Sequence, residues 1–161
     1  MLFLWAITQT MSSQHHTLTQ KVERKYNIPA GLLYAIMTVE SRGHPFAVYS
    51  KQKGIKRKSV RFENVQEAVA YVMVLQSLGV KNINVGCMQI NLKCHKNKDI
   101  ALWFSPEYSI DYAGRFLKML RKRMGSWKNA VAFYHSGSKE VFHETYLNKV
   151  NHHFSGNLWE I

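Results

Sequence analysis

A single acidic side chain closes an apolar, helix-forming segment in the first third of the chain. Leu33, Ile36 and Glu40 follow one another at the helical spacing i, i+3, i+7, so they share one face of a helix. Burying a carboxylate costs free energy unless the group is paired, protonated or put to use. Partial burial also raises the pKa of a carboxyl group, which suits a general acid. The alternative is a carboxylate at a helix end that turns out into solvent.

Size and charge limit the class of protein. The 161 residues suffice for one domain with a substantial core, and a hydrophobic content of 46% indicates a globular chain. The formal net charge of +12 predicts an anionic partner, which is nucleic acid, a lipid surface or an acidic polymer such as the bacterial wall. Charge alone does not choose among these partners.

Neither the cysteines nor the amino terminus decides in which cellular compartment the protein works. Cys87 and Cys94 match neither a disulfide-rich scaffold nor a zinc site, and two independent thiols are expected rather than a small disulfide loop. No segment is long enough to span a bilayer. Residues 1–7 resemble the core of a signal peptide but lack preceding basic residues. They are either a degenerate export signal or an apolar start that packs on the fold.

Helical patterns dominate the rest of the chain and flank a short β segment. Two runs of β-forming residues, 46–50 and 59–62, enclose a basic stretch and predict a hairpin, and residues 81–86 are expected to be extended or looping. The predicted fold is α+β, mostly helical with a small β-hairpin wing. The expected helices are a polar, largely exposed one over 13–26, one from Pro29 to Ser41, one capped by Asn64 that runs to Gly79, and helices over 106–124, 127–136 and up to His153.

Two later segments carry polar groups suited to a ligand. In Gly86-Cys-Met-Gln-Ile-Asn91, the glycine permits close approach of the backbone to a ligand, and the amides of Gln89 and Asn91 suit sugar hydroxyl and N-acetyl groups. The same hexapeptide can equally be a turn. Ala132-Phe-Tyr-His-Ser-Gly137 places Tyr134 and His135 before a helix break, where the simpler interpretation is a core aromatic followed by a polar turn.

In this order, the three segments resemble the lytic transglycosylases (SLT domain) of the lysozyme-like superfamily. Glu40-Ser41 is similar to that family's catalytic Glu-Ser, residues 86–89 to its Gly-Leu-Met-Gln and residues 134–137 to its Tyr-Asn-Ala-Gly. Tyr146 resembles the tyrosine of the helix that follows. The chain looks closest to the small, single-domain members found with bacterial secretion and conjugation systems.

The resemblance implies a division of the chain and a set of site residues. Residues 1–25 become an N-terminal segment, 26–153 the lysozyme-like domain and 154–161 a C-terminal tail. Glu40 is the implied catalytic residue. The implied substrate-binding residues are Ser41, Met88, Gln89, Asn91, Tyr134, His135 and Tyr146.

The sequence also departs from the family pattern. Cys87 replaces the commoner leucine, and His135-Ser136 replaces Asn-Ala. The usual Ala-Gly-Ala lead-in to the second motif is absent, and the hairpin and the helix from Asn64 stand in its place. Any serine between the first two motifs is therefore hard to assign, and Ser50 is the nearest candidate.

The implied reaction cleaves the β-1,4 bond between N-acetylmuramic acid and N-acetylglucosamine. Glu40 serves as acid and then base, the substrate's acetamido group replaces a second carboxylate, and the product is a 1,6-anhydro end, with neither metal nor organic cofactor. Glu63 and Glu67 are the candidates for a second carboxylate, whereas Asp99, Glu107 and Asp111 lie on segments of surface character. The implied partners are peptidoglycan strands and a secretion or conjugation apparatus, and the implied location is periplasmic or secreted.

Three other functions compete with this one. A hydrolytic, lysozyme-type muramidase would use Glu63 or Glu67 to position water. A nucleic-acid-binding module would explain the basic clusters at 51–61 and 115–128, but nothing resembles a known nucleic-acid-binding signature, so no nucleic-acid partner is expected. A catalytically inactive wall-binding scaffold is the third.

Overall fold

The structure, a computed structural model, describes residues 2–51, 58–95, 99–137 and 143–161, with side chains from residue 13 onward. Six α-helices, one 3-10 helix and a four-stranded antiparallel sheet form within these residues, so the expected α+β class is confirmed. The chain divides into two compact units, residues 1–39 with 110–161 and residues 40–109. The elements are α1 (Leu2–Tyr26), α2 (Leu32–Ser41), β1 (Ala47–Lys51), β2 (Lys58–Arg61), α3 (Val65–Ser77), β3 (Asn82–Val85), β4 (Ile90–Asn91), η1 (Ile100–Phe104), α4 (Pro106–Met124), α5 (Trp127–Ser136) and α6 (His143–His153).

Helix α1 in the first unit is longer and less exposed than its sequence predicts. The expected polar helix over 13–26 is part of a 25-residue helix that starts at Leu2. His15, Thr19, Val22 and Glu23 are buried along one side of it. The expectation of a largely exposed helix is therefore wrong for that side, where Glu23 has its partners outside the helix.

Glu23 is the buried polar residue of α1 whose partners are clearest. Its carboxylate accepts hydrogen bonds from the backbone N–H groups of Gly31 at 2.9 Å and Leu33 at 2.8 Å, at the start of α2. Those N–H groups have no partner within the helix, so the carboxylate caps it from a distance. Helix α2 begins at Leu32 rather than at the expected Pro29, because Gly31 has a φ of +86° that no helix accommodates. Its predicted end at Ser41 is confirmed.

The three helices of the second half follow their local sequence signals. The bounds expected for α4 and α5 are observed, and α6 ends at His153 as expected. Ile110, Ala113, Leu117 and Leu120 are completely buried along one side of α4. Gly114 lies in the same helix against α1, where a Cβ atom would overlap the Val22 side chain.

The sheet of the second unit is larger than the expected hairpin. β1 and β2 pair antiparallel, with Ala47 opposite Arg61 and Ser50 opposite Lys58, which confirms the hairpin; its tip, with Lys53, Lys56 and Arg57, lies outside the described residues. β3 pairs with the other edge of β1, and β4 pairs with β3, so the strand order is β2-β1-β3-β4. The segment expected to be extended or looping is thus a strand.

Helix α3 of the second unit is capped as expected but only partly buried. Asn64 accepts a hydrogen bond from the Glu67 backbone N–H at 2.9 Å. Among its apolar residues at helical spacing, Ala68 and Val72 are buried, while Val65, Val69 and Leu75 are half-buried. The helix ends at Ser77, two residues before the expected Gly79.

The structure also bears on the two cysteines and on membrane-spanning segments. Cys87 and Cys94 are both free thiols, the first buried and the second exposed. Within the described part of the chain, no helix combines the length and apolar character needed to cross a membrane.

Candidate active site

Glu40 occupies the next-to-last position of α2. Leu33 and Ile36, which share its helix face, are completely buried, and Glu40 itself is half-buried. The five acidic residues in residues 40–109 are Glu40, Glu63, Glu67, Asp99 and Glu107, and the other four are exposed. Glu40 is therefore the only carboxylate of this unit that is partly withdrawn from water.

Structural hydrogen bonds occupy most of the remaining carboxylates. Glu67 accepts from the side-chain amide of Asn64 at 2.9 Å, so this candidate for a second catalytic role takes part in capping α3. Asp99 caps η1 by accepting from the Ala101 N–H at 3.0 Å. In the first unit, Asp111 pairs with Lys25 at 2.6 Å.

A hydrogen bond from Ser41 connects the end of α2 to the second motif, residues 86–89. Its side chain is buried, and its hydroxyl donates to the carbonyl oxygen of Cys87 at 2.7 Å. The Ser41 carbonyl lies at the end of the helix, and it accepts from the His44 backbone N–H at 3.3 Å and from the Arg61 guanidinium at 3.2 Å. Sequence reasoning placed Arg61 only in a basic cluster, since no local pattern signals a contact with a residue 20 positions away.

The second motif forms a tight turn between β3 and β4. Gly86 has a φ of +76°, and a Cβ atom there would overlap the carbonyl oxygen of Trp103. The glycine is thus required for packing against the protein's own backbone, which differs from the expected close approach to a ligand. Gln89 closes the turn with a φ of +49°, and its side-chain amide donates to the Gly86 carbonyl at 3.0 Å.

Other predicted residues of this unit are largely occupied within the protein. Met88 is completely buried. Asn91 uses its amide nitrogen on the side-chain oxygens of Asn82 and Asn84, each at 2.6 Å. Ser50, the candidate serine between the motifs, is buried on β1 opposite Ile83. Their roles in sugar binding stay predictions.

Burial sets the titration behaviour of two groups near the motifs. Desolvation raises the pKa of the Cys87 thiol from 9.0 to about 11, although its hydrogen bond with Ser109 at 3.2 Å opposes the shift. Desolvation, followed by the positive charge of Arg61, lowers the pKa of His44 below its ordinary value of 6.5. His44 is therefore neutral at neutral pH, and its Nδ1 accepts from the Phe46 N–H at 3.2 Å.

The third motif, residues 134–137, lies in the first unit. The exposed ring of His135 stacks on the buried ring of Tyr146, with centroids 4.0 Å apart and an interplanar angle of 9°. Tyr134 is half-buried, and its ring centroid lies 5.8 Å from that of Phe116. The structure therefore brings His135 and Tyr146 together.

The family model for the transglycosylase SLT domain matches residues 17–154, a span that contains all three motifs. The chain belongs to the transglycosylase SLT domain family. No curated protein and no solved structure matches it significantly. As an SLT domain, the chain is a transglycosylase with a lysozyme-like fold, and peptidoglycan is the substrate that this family implies.

Proposed function

We propose that this SLT domain is a peptidoglycan lytic transglycosylase in which Glu40 is the single catalytic acid and base. The observation that carries the proposal is the combination of half-burial and placement. Glu40 alone among the carboxylates of its unit is partly desolvated, and its neighbour Ser41 is hydrogen-bonded to the turn that bears Gln89. A half-buried carboxylate next to the residue that holds this polar turn is placed to exchange a proton with a bound sugar.

The first step breaks the glycosidic bond. Protonated Glu40 donates its proton to the oxygen between C1 of N-acetylmuramic acid and C4 of N-acetylglucosamine, and that oxygen leaves as the 4-hydroxyl group. The acetamido oxygen of the muramic residue stabilises the positive charge that develops at C1. A substrate group thus replaces the second carboxylate of ordinary glycosidases.

The second step closes a ring within the sugar. Glu40, now a carboxylate, takes the proton from the C6 hydroxyl of the same muramic residue, and O6 forms a bond to C1. The product is a 1,6-anhydro end, Glu40 is protonated again, and no water is consumed. Exposure of Glu63 and Glu67, and the capping role of Glu67, support this one-carboxylate scheme over hydrolysis.

The remaining site residues act in binding. Ser41 holds the turn, Gln89 and Asn91 supply polar groups beside it, and the side chain of Met88 is buried in the same turn. Tyr134, His135 and Tyr146 contact the sugar or orient the acetamido group. We further propose an extracytoplasmic location, periplasmic or secreted, and service to a secretion or conjugation apparatus.

The test is the chemistry of the product. Purified sacculi are digested with the protein, and the released muropeptides are identified by mass spectrometry. Muropeptides with anhydro ends, lighter by one water than the reducing forms, support the proposal. Reducing ends indicate a hydrolytic muramidase, and the absence of any release indicates a wall-binding scaffold; either result overturns the proposal.

A further inference from the structure

One face of the four-stranded sheet carries a preorganised group of amides. Asn82 and Asn84 lie two positions apart on β3 and are half-buried, while Ile83 and Val85 between and beside them are buried on the opposite face. Asn91 on β4 is directly opposite Asn84. The two strands thus present three asparagines on one side.

Asn91 fixes the orientation of its two neighbours. Both of its amide hydrogens are used, since its nitrogen lies 2.6 Å from the side-chain oxygen of Asn82 and 2.6 Å from that of Asn84. Its own oxygen accepts from the Lys93 N–H at 3.0 Å. Because their oxygens are held, Asn82 and Asn84 turn their NH2 groups away from Asn91.

The NH2 groups of Asn82 and Asn84 are the functional part of this arrangement. Neither amide nitrogen has a hydrogen-bond acceptor among the residues that the structure describes. Each NH2 group offers two donors, so the face presents four donors held in place by Asn91. Held donors of this kind match a ligand that supplies carbonyl or hydroxyl oxygens.

An aromatic ring adjoins these donors. Tyr49 on β1 is directly opposite Asn84, and opposite residues of an antiparallel pair project from the same face. Tyr49 is half-buried, so part of its side chain remains exposed beside the amides. An amphipathic ring beside fixed amide donors suits a saccharide, which has an apolar C–H face and polar oxygens at its rim.

We propose that Tyr49, Asn82 and Asn84 form a binding subsite for one N-acetylated sugar residue, with Asn91 as the residue that positions the amides. The amide donors bind acetamido or hydroxyl oxygens of the sugar, and Tyr49 lies under its apolar face. This inference deepens the proposed function, since it rests on a glycan as the substrate. Asn84 precedes the Gly86 turn by two positions, so the subsite continues the strand that leads into the second motif.

Isosteric substitutions test the donors. Asn84→Asp and Asn82→Asp keep an oxygen for Asn91 but replace the donating NH2 with an acceptor. In a Glu40→Gln background, each is titrated calorimetrically with neutral tetra-N-acetylchitotetraose. Each variant is expected to bind about tenfold or more weakly, because donors are lost and an acceptor faces the sugar oxygens. The control is Gln76→Glu, the same charge change at an exposed position of α3, which is expected to leave binding unchanged.

A direct measurement covers the case in which a variant does not fold. In NMR spectra of the Glu40→Gln protein, the side-chain NH2 signals of Asn82 and Asn84 are expected to shift on addition of the saccharide. Those of the exposed Asn129 in α5 are expected to stay in place. Unshifted Asn82 and Asn84 signals at saturating saccharide overturn the subsite.

The outcomes separate this subsite from the proposed function. Weaker saccharide binding by folded Asp variants supports the subsite even if sacculi are not cleaved. Wild-type affinity in both variants, or binding only of a carboxylate-bearing stem peptide, overturns the subsite even if anhydro products are released.

Discussion

The Ser41 hydroxyl donates to the Cys87 carbonyl at 2.7 Å and so joins the residue after Glu40 to the turn that begins at Gly86. Both residues are buried, so the bond is shielded from competing water. The Glu-Ser motif and the Gly-Cys-Met-Gln motif are therefore physically linked through one hydroxyl. A serine at position 41 is explained by this contact without any direct role in the reaction.

Ser41→Ala is expected to destabilise the fold. The substitution leaves the buried Cys87 carbonyl without this donor, at a cost of about 1–3 kcal/mol in the free energy of unfolding. Urea denaturation measures the change. The control is Ser77→Ala, because Ser77 makes a similar bond to the Val74 carbonyl at 2.8 Å on the exposed surface. Equal losses in the two variants would contradict a special role for the Ser41 bond.

Gly86→Ala is expected to cost more than the same change at Gly79. Both glycines have a φ of +76°, so the backbone strain introduced by alanine is alike. A Cβ atom at Gly86 would overlap the Trp103 carbonyl, whereas one at Gly79 meets nothing within 4 Å. Denaturant unfolding of the two variants should differ by about 1–3 kcal/mol, the usual cost of overpacking. Similar stabilities would show that the turn relaxes freely.

The two thiols are expected to react at very different rates. Burial raises the pKa of Cys87 to about 11, so at pH 8 it holds almost no thiolate, while Cys94 is exposed. Ellman's reagent should modify one thiol of the native protein quickly, and Cys94→Ser should abolish that fast phase. Cys87→Ser should preserve it. Fast modification of Cys87 in the native state would contradict its burial.

The same shift predicts a loss of stability in alkali. The folded state holds the Cys87 proton more tightly than the unfolded state, whose thiol pKa is 9.0. The contribution of this proton is complete below pH 9 and declines as the pH rises towards about 11. In Cys87→Ser the decline over that interval should be smaller, as measured by urea denaturation at each pH. An identical decline would show that other groups control it.

Local signals explain which elements the sequence predicts well. Pro106 suits the first turn of α4, Gly125 follows its end, and Ser126 caps α5 by accepting from Asn129 at 3.1 Å. Each signal acts within a few residues, so the bounds of both helices follow from the sequence. The half-burial of Glu40 follows equally from its spacing to Leu33 and Ile36.

Contacts between distant residues explain what the sequence does not predict. Pairing of β3 with β1 joins residues that are 31 to 37 positions apart and leaves no periodic signal. Glu23 caps α2 across a turn, which explains why a glutamate is buried in a helix expected to be largely exposed. The need for glycine at position 86 comes from Trp103, which no spacing rule connects with it.

The most direct test of the central claim is the rate at which Glu40→Gln solubilises sacculi, followed as loss of turbidity. Its rate is expected to fall at least about a hundredfold below that of the wild type, with an unchanged thermal unfolding midpoint, because the amide can neither donate nor accept the catalytic proton. Glu63→Gln and Glu67→Gln, matched changes at exposed carboxylates, should retain activity near that of the wild type. Substantial turnover by Glu40→Gln, or loss of activity in either matched variant alone, would contradict catalysis by Glu40 as the single carboxylate.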